Sequence, residues 1–371
     1  MNVIHVLHVV GIMNRGGIET FIMNVYRNIN RNKVQFDFLV HKDEVGDYDK
    51  EILALGGKIY KIPYVNKVGP IKYPRILYNF FKEHSEYNIV HSHMNLVSGV
   101  ILKEAKNAGV KYTIAHGHST NDMGRFYERF YKKLVGTYLN KYSDYKFACS
   151  REAANYIFKE EGSKDCIIIK NGVDLSKFKV TNADVMKVKK EMNIKYNSLV
   201  IGNVARFSKV KNHKFLIDVF YEISRKNENA ILVLVGDGEL KQDIVDKVNK
   251  YGIEDKVIFT GIREDIPCIM KMFNVFILPS FFEGLGIVLI EAQACGIKCI
   301  VSKNITKEAD MNMGLLTYLD INDSINMWAD EAIRPYSHPD NTLRNIESLG
   351  YDIKKVASFL EDFYENLNVS R

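Results

Sequence analysis

Short apolar runs rich in Val and Ile alternate with longer stretches of helical periodicity along nearly the whole chain. In the first half these runs fall at 3–10 (VIHVLHVV), 34–40 (VQFDFLV), 88–93 (NIVHSH), 111–116 (KYTIAH), 145–150 (YKFACS) and 166–171 (CIIIKN). In the second half they fall at 198–206, 230–236, 256–261, 275–280 and 298–302. Short, largely apolar runs spaced by helices mark strands covered on both faces, as in parallel sheets flanked by helices. The pattern predicts an α/β protein made of two doubly wound parallel-sheet domains in series. The polar, turn-rich stretch GVDLSKFKVTNADV (172–185) is the natural join, and the boundary is placed at 178/179. After Ser302 the pattern loosens. It returns near the end, where Ile353, Val356, Phe359, Leu360, Phe363 and Leu367 predict a long helix over about 352–371.

Length and composition fit this division. A chain of 371 residues with 46% hydrophobic content is too long for one ordinary core and comfortable for two. No apolar run approaches the ~20 residues needed to span a bilayer. The opening MNVIHVLHVVG has no basic flank and no small-residue cleavage site, so it reads as a buried strand, not a signal peptide. The five cysteines are odd in number and lie in apolar segments, as expected for free thiols in the cytoplasm. Charge is uneven: residues 1–180 hold 27 Lys and Arg against 18 Asp and Glu, and residues 181–371 hold 24 against 27. A basic first half suits an anionic surface or nothing specific.

In doubly wound sheets, ligands bind beyond the carboxyl ends of the strands. Four loops there carry unusual residues. GIMNRGGIET places Gly16 and Gly17 just before a helix, where backbone N–H groups can approach an anion; a plain tight turn explains them equally well. AHGHST places His116 and His118 on a loop after a strand, within reach of proton chemistry. His91 and His93 sit similarly and are assigned to packing and hydrogen bonding, because no carboxylate accompanies the four histidines as metal ligands often require. NVARFSKVKNH places Arg206 and Lys211 at the mouth of a helix, a set suited to a diphosphate, with a solvated basic loop as the alternative. PSFFEGLGIVLIEAQACG places Glu283 before a helix starting near Gly284 to Leu285, and Glu291 inside it among apolar neighbours. A carboxylate in such surroundings calls for a partner. Asp47 and Asp49, the one Asp-x-Asp triplet, lie in a charged segment and read as surface.

EGLGIVLIE resembles the E-x7-E motif of the retaining nucleotide-sugar glycosyltransferases of family four. GGIET, KNGVDLSKF, NVARFSKVKN and LVGDGELK resemble further segments of that family, in the same order, and the likeness covers nearly the whole chain. IAHGHST is similar to bacterial exopolysaccharide and capsule transferases. The resemblance implies the GT-B fold, two Rossmann-like domains facing a central cleft. Residues 1–178 would bind the acceptor, with the terminal helix packing back on them, and residues 179–351 would bind the donor.

It implies roles residue by residue. Glu283 would hold the donor sugar's hydroxyls and Glu291 the ribose. Arg206 and Lys211 would neutralise the diphosphate. Backbone around Gly284, Leu285 and Gly286 would touch sugar and phosphate, and Ile262 or Arg263 would seat the base. Gly16 and Gly17 would lie near the phosphates, and His116 near the reacting centre, with His118 as the alternative. The expected reaction moves a sugar with retention from a nucleotide-sugar, UDP being the expected nucleotide, to a saccharide on a lipid carrier. Fixed cations can stabilise the leaving phosphate, so neither a metal nor another cofactor is expected.

Residues 125–142 mix aromatic and basic residues at helical spacing. Phe126, Phe130, Leu134 and Tyr138 would form an apolar stripe beside Arg129, Lys132, Lys133 and Lys141. Such a helix either lies on an anionic membrane surface or packs its stripe on the sheet. Rival readings are a nucleotide-sugar epimerase of the same fold and a non-catalytic sugar-binding shell. No nucleic-acid motif is present, and no GxGxxG opens the first helix as a dehydrogenase would need.

Overall fold

The structure is a computed structural model that describes residues 3–119, 126–283 and 285–369. The chain forms two compact units, residues 1–172 with 350–371, and residues 173–349.

The first unit contains strands β1 (Ile4–Val10), β2 (Val34–Val40), β3 (Ile59–Lys61), β4 (Ile89–Ser92), β5 (Tyr112–Gly117), β6 (Tyr145–Ala148) and β7 (Ile167–Ile168). They form one parallel sheet in the order β3-β2-β1-β4-β5-β6-β7. Every residue of β2 is buried, including the polar Gln35 and Asp37, and Asp37 accepts from Lys58 N and Tyr87 Oη. One face of the sheet packs on a cluster around Tyr73, Leu77, Ile101 and Phe158. The other packs on Phe21, Tyr26, Phe36 and Phe147, together with Ile353, Leu360 and Tyr364 of the terminal helix Ile353–Val369. That helix lies against helix Gly17–Asn28 and strands β1 and β2. Its Glu361 and Glu365 both pair with Lys33.

The second unit contains β8 (Leu199–Val204), β9 (Ala230–Val235), β10 (Val257–Gly261), β11 (Val275–Leu278), β12 (Lys298–Ser302) and β13 (Leu316–Leu319). They too are all parallel, in the order β10-β9-β8-β11-β12-β13. In each sheet the strand order reverses once, between β1 and β4 and between β8 and β11. Crossovers leave such points on opposite faces, and the loops at the carboxyl ends part to form a crevice.

Three expectations need correction. The short tight turn Leu175–Phe178 belongs to the second unit, because it packs on helices Ile266–Lys271, Ile287–Ala294 and Thr342–Ser348; the boundary is therefore earlier than 178/179. The loose region after Ser302 contains strand β13 and helices Ile325–Ile333 and Thr342–Ser348, elements too short to show clear periodicity. Residues 126–142 are not one helix but two, Phe126–Gly136 and Leu139–Tyr142. The longer one seats Tyr131 and Val135 inward, while Phe126, Phe130 and Leu134 are 87%, 65% and 54% exposed. The apolar stripe thus faces away from the core.

Candidate functional site

The two loops that flank the β8/β11 reversal bring Lys211 and Glu283 into contact. Lys211 follows β8 in a tight turn, Lys209–Lys211, and Asn212 then opens helix His213–Lys226 from the left-handed region. Lys211 Nζ donates to Glu283 Oε1 at 2.6 Å, and Ser280 Oγ donates to the same oxygen at 2.7 Å. Glu283 is nearly buried. Its charge is therefore held by a cation and a hydroxyl, as a buried carboxylate requires.

Beyond Glu283 the chain enters helix Ile287–Ala294 through Gly286 at φ +67°, a conformation that suits glycine. The helix begins later than Gly284 to Leu285, since Leu285 is non-helical and Gly286 is its cap. Leu285 is buried, and Gly284 lies outside the described residues. Glu291 stands in the second turn. Burial pushes its carboxyl up to about 7, and only Lys177 opposes this. Lys177 comes from the KNGVDLSKF segment, a contribution that sequence spacing gave no reason to expect.

Arg206, at the end of β8, reaches outward and pairs with Glu239 at 3.2 Å. Arg263, after β10, forks onto Asp265 and Glu191, so its guanidinium is already engaged and its protonated form is further stabilised. Ile262 beside it is 63% exposed. Only the Ile262 side chain and the loop backbone are therefore open to a flat ligand there.

In the first unit, Gly16 caps helix Gly17–Asn28, and a Cβ on it would lie 2.3 Å from Glu19 Oε2. Glu19 therefore folds back over Gly16. Burial raises its pKa, and with Tyr64, His93, Asn95, Ser119 and Lys132 it lines a cavity of about 330 Å³ at the ends of β1, β4 and β5. Sequence reading passed over Glu19, because an acidic residue in a first helical turn is ordinarily explained by the helix dipole. The Asp47 segment is also not simply surface. Asp47 accepts from Arg15 N, the N–H of Tyr48 bonds the Met13 carbonyl, and Asp49 is buried where it accepts from Gly46 N. The segment clasps the loop that carries Gly16 and Gly17.

His116 is inside β5 and not on a loop; His118 stands just beyond the strand. They belong to an array of five buried imidazoles on one face of β1, β4 and β5. His118 Nε2 lies 2.9 Å from His93 Nδ1, and His93 Nε2 lies 3.0 Å from His8 Nδ1. A second row stacks on the first: His116 Nδ1 lies 3.2 Å from His91 Nε2, and His91 Nδ1 lies 2.7 Å from Tyr364 Oη. The alternation of the strands causes this, since His8 registers with His91 and each H-x-H pair faces one side. Burial drives all five well below the usual histidine range, His8 and His118 to about 3, so every ring is neutral. Neutral imidazoles are what a metal needs, and the sets His8, His91, His93 and His93, His116, His118 each bring nitrogens within 4.8 Å of one another. The rings of each bonded pair, however, lie within 30° of coplanar and face one another at hydrogen-bond distance.

Comparison with known proteins gives this geometry a family. The signature of Glycosyltransferase Family 4 matches residues 15–177, and that of Glycosyl transferases group 1 matches residues 184–312. EpsF of Bacillus subtilis (strain 168) is 34% identical over 371 residues, covering 97% of this chain and 96% of the relative. The UDP-Gal:alpha-D-GlcNAc-diphosphoundecaprenol alpha-1,3-galactosyltransferase of Escherichia coli is 28% identical over 314 residues, covering 80% and 79%. The capsular polysaccharide biosynthesis glycosyltransferase CapH of Staphylococcus aureus is 27% identical over 318 residues, covering 83% and 84%. Among solved structures, HepE of Anabaena in complex with UDP and glucose superposes with a TM-score of 0.76 at 17% identity, covering 98% of this chain and 100% of that one, a likeness of fold. The chain belongs to the family 4 glycosyltransferases, retaining hexosyltransferases of GT-B fold.

Proposed function

We propose that the protein moves a sugar, with retention, from a UDP-sugar to a saccharide hydroxyl on a lipid carrier during exopolysaccharide or capsule synthesis. The observation that carries this is the Lys211–Glu283 contact at the β8/β11 reversal, beside the glycine-started helix of Glu291. A cation, a carboxylate and a helix start there match the phosphate, the sugar hydroxyls and the developing charge of one ligand.

The second unit is read as the donor domain. Lys211 and Arg206 offset the charge that grows on the departing diphosphate, the work a divalent ion does in other transferases, so transfer proceeds in EDTA. Glu283 orients the sugar and Glu291 the ribose. Backbone at Leu285 and Gly286 approaches the ligand closely, and the backbone near Ile262 and Arg263 seats the base. The first unit is read as the acceptor domain. Its cavity offers Glu19, Asn95 and Ser119 for hydroxyls and Tyr64, Ile18 and Leu96 for the apolar face of a pyranose. Gly16 and Gly17 at the start of helix Gly17–Asn28 are read as approaching the phosphates, and His116 or His118 as approaching the reacting centre.

The UDP preference and the lipid-linked acceptor draw on the activity named for the Escherichia coli relative and on the ligands of HepE. The exposed Phe126, Phe130 and Leu134 beside Arg129 and Lys133 would rest on an anionic membrane surface and so reach such an acceptor. Among the described residues no helix is long and apolar enough to cross a membrane. The reading puts the enzyme in the cytoplasm, at the inner face of the membrane, where such an acceptor would be met.

The test is a transfer assay with UDP-, GDP- and ADP-sugars and polyprenyl-diphosphate saccharides, each with and without EDTA. Transfer from a UDP-sugar in EDTA, giving a product of unchanged anomeric configuration, is expected. Release of an epimerised sugar without an acceptor, or stimulation only by a divalent ion, would sink the reading.

A further inference from the structure

The two imidazole rows differ at their inner ends. The row His118–His93–His8 ends at His8 Nε2, which has no partner among the described residues, and begins at His118 Nδ1, which also has none. A neutral imidazole carries one N–H and one lone pair, so the three rings must share one sense. Either sense makes two hydrogen bonds and leaves one open donor and one open acceptor at opposite ends. Nothing in this row selects between them.

The other row is closed by a hydroxyl. Tyr364 Oη is deeply buried in the terminal helix and bonds only His91 Nδ1 among the described residues. If the hydroxyl donates, His91 carries its proton on Nε2 and donates to His116 Nδ1. His116 Nε2 then bears the remaining proton. If the sense is reversed, the Tyr364 O–H has no acceptor and the lone pair of His116 Nε2 has no donor. The first sense leaves one buried group unsatisfied and the second leaves two. Each such group costs about 1–3 kcal/mol, which is enough to select the first.

We infer that Tyr364 is a positioning residue that, through His91, fixes His116 as the tautomer protonated on Nε2. His116 therefore meets a ligand as a neutral hydrogen-bond donor and cannot accept a proton on that atom. Its Nε2 is buried and finds no acceptor among the described residues, so a hydroxyl or phosphate oxygen that reaches it would be met by a donor. His118, in the unselected row, remains able to donate or accept. The terminal helix that returns to the first unit thus has a task at the strand ends beyond covering the sheet. The functional half of this inference rests on the glycosyl-transfer reading; the tautomer does not.

The experiment is ring 15N NMR of histidine-labelled full-length protein, with His116→Gln for assignment, alongside Tyr364→Phe. In the wild type, His116 should show a pyrrole-type Nε2 and a pyridine-type Nδ1, while His8, His93 and His118 show averaged values. Tyr364→Phe removes one oxygen and keeps the ring, so the fold is retained, and the His91 and His116 signals should move toward averaged values. Sugar transfer should fall roughly two- to tenfold in kcat with an unchanged donor KM, the size of one hydrogen bond. A wild-type His116 protonated on Nδ1, or unchanged signals in Tyr364→Phe, overturns the inference. Stoichiometric zinc in the purified protein does so too, because it would occupy the lone pairs. Altered signals with undiminished transfer overturn the positioning role. Absence of any transfer by wild-type protein with the expected signals would count against the proposed reaction instead.

Discussion

Lys211 Nζ and Glu283 Oε1 are 2.6 Å apart, although 72 positions separate the residues in the chain. Without ligand each neutralises the other. A nucleotide-sugar would have to divide them, the lysine turning to phosphate and the carboxylate to sugar hydroxyls. Both side chains are mostly removed from water, so each loses a partner that solvent would not fully replace. Lys211→Ala should lower kcat by roughly a hundredfold or more, the loss typical of one electrostatic stabiliser of a leaving group. Glu283→Gln keeps the shape and loses the charge, and should cost a similar factor. The double variant should be less impaired than the product of the two, because contacting residues are not additive. A strictly multiplicative double variant would show that the pair does not work as a unit.

That pair also marks what the sequence made legible. Short, largely apolar strands at helical intervals made the two parallel sheets legible, because a strand covered on both faces admits a polar residue only with a buried partner, as Asp37 has in Lys58 N and Tyr87 Oη. Lys211 and Glu283 could each be picked out by their loops, but their contact could not, since spacing along the chain carries no distance across a sheet. β13 and β3 escaped notice for a different reason: strands of four and three residues on a sheet edge are partly exposed and lack a clear signature. His91 and His93 were rightly read as hydrogen-bonding residues. Their arrangement with His8 and Tyr364 depended on register and on a helix more than 250 positions away in sequence, information no local pattern holds. Glu19 was missed because its role follows from burial, and its local sequence looks like an ordinary helix start.

Glu291 gives a pH prediction whose sign can be fixed. Burial raises its folded pKa from 4.5 to about 7. An acid whose folded pKa lies above its unfolded value favours folding below about 4.5, and that contribution disappears as pH rises to 7. The penalty for keeping it charged above pH 7 is up to about 3 kcal/mol, an upper bound because part of the side chain is exposed. Glu291→Gln should therefore raise the Tm at pH 8 and leave it nearly unchanged at pH 4.5. Uridine affinity should show the opposite preference in the wild type, rising between pH 6 and 8 as the carboxylate becomes a full acceptor, and this rise should vanish in the variant. Equal Tm gains at both pH values would show that the shift is absent.

The helix Phe126–Gly136 exposes Phe126, Phe130 and Leu134 while its Val135 is buried in the first unit. Three large apolar side chains on one exposed face, next to lysine and arginine, are costly in water and suited to a lipid interface. Phe130→Ser with Leu134→Ser should leave the fold intact, since neither side chain is in the core, and should abolish flotation with anionic liposomes. Neutral liposomes should bind the wild type less, and 0.5 M salt should weaken binding by screening. Flotation that is insensitive to both substitutions and to lipid charge would remove the membrane from the proposal.

Arg206 is the other cation proposed to meet the diphosphate, and its exposure separates function from stability. Its guanidinium is 72% exposed and, among the described residues, pairs with Glu239, itself more than half exposed. Such a surface pair contributes from nothing to about 1 kcal/mol, and salt weakens it further. Arg206→Ala should therefore unfold within a degree or two of the wild type by calorimetry. Glu239→Ala should behave likewise. In the transfer assay the two should part: loss of the arginine should lower kcat/KM for the UDP-sugar at least tenfold, whereas loss of the glutamate, which on the proposed reading would compete with phosphate for the same guanidinium, should leave kcat/KM unchanged or raise it. Arg206→Lys should recover only part of the loss, because a point charge does not reproduce a fork that can meet two phosphate oxygens at once. Equal kinetic losses for Arg206→Ala and Glu239→Ala would mean that the arginine serves the loop and not the diphosphate.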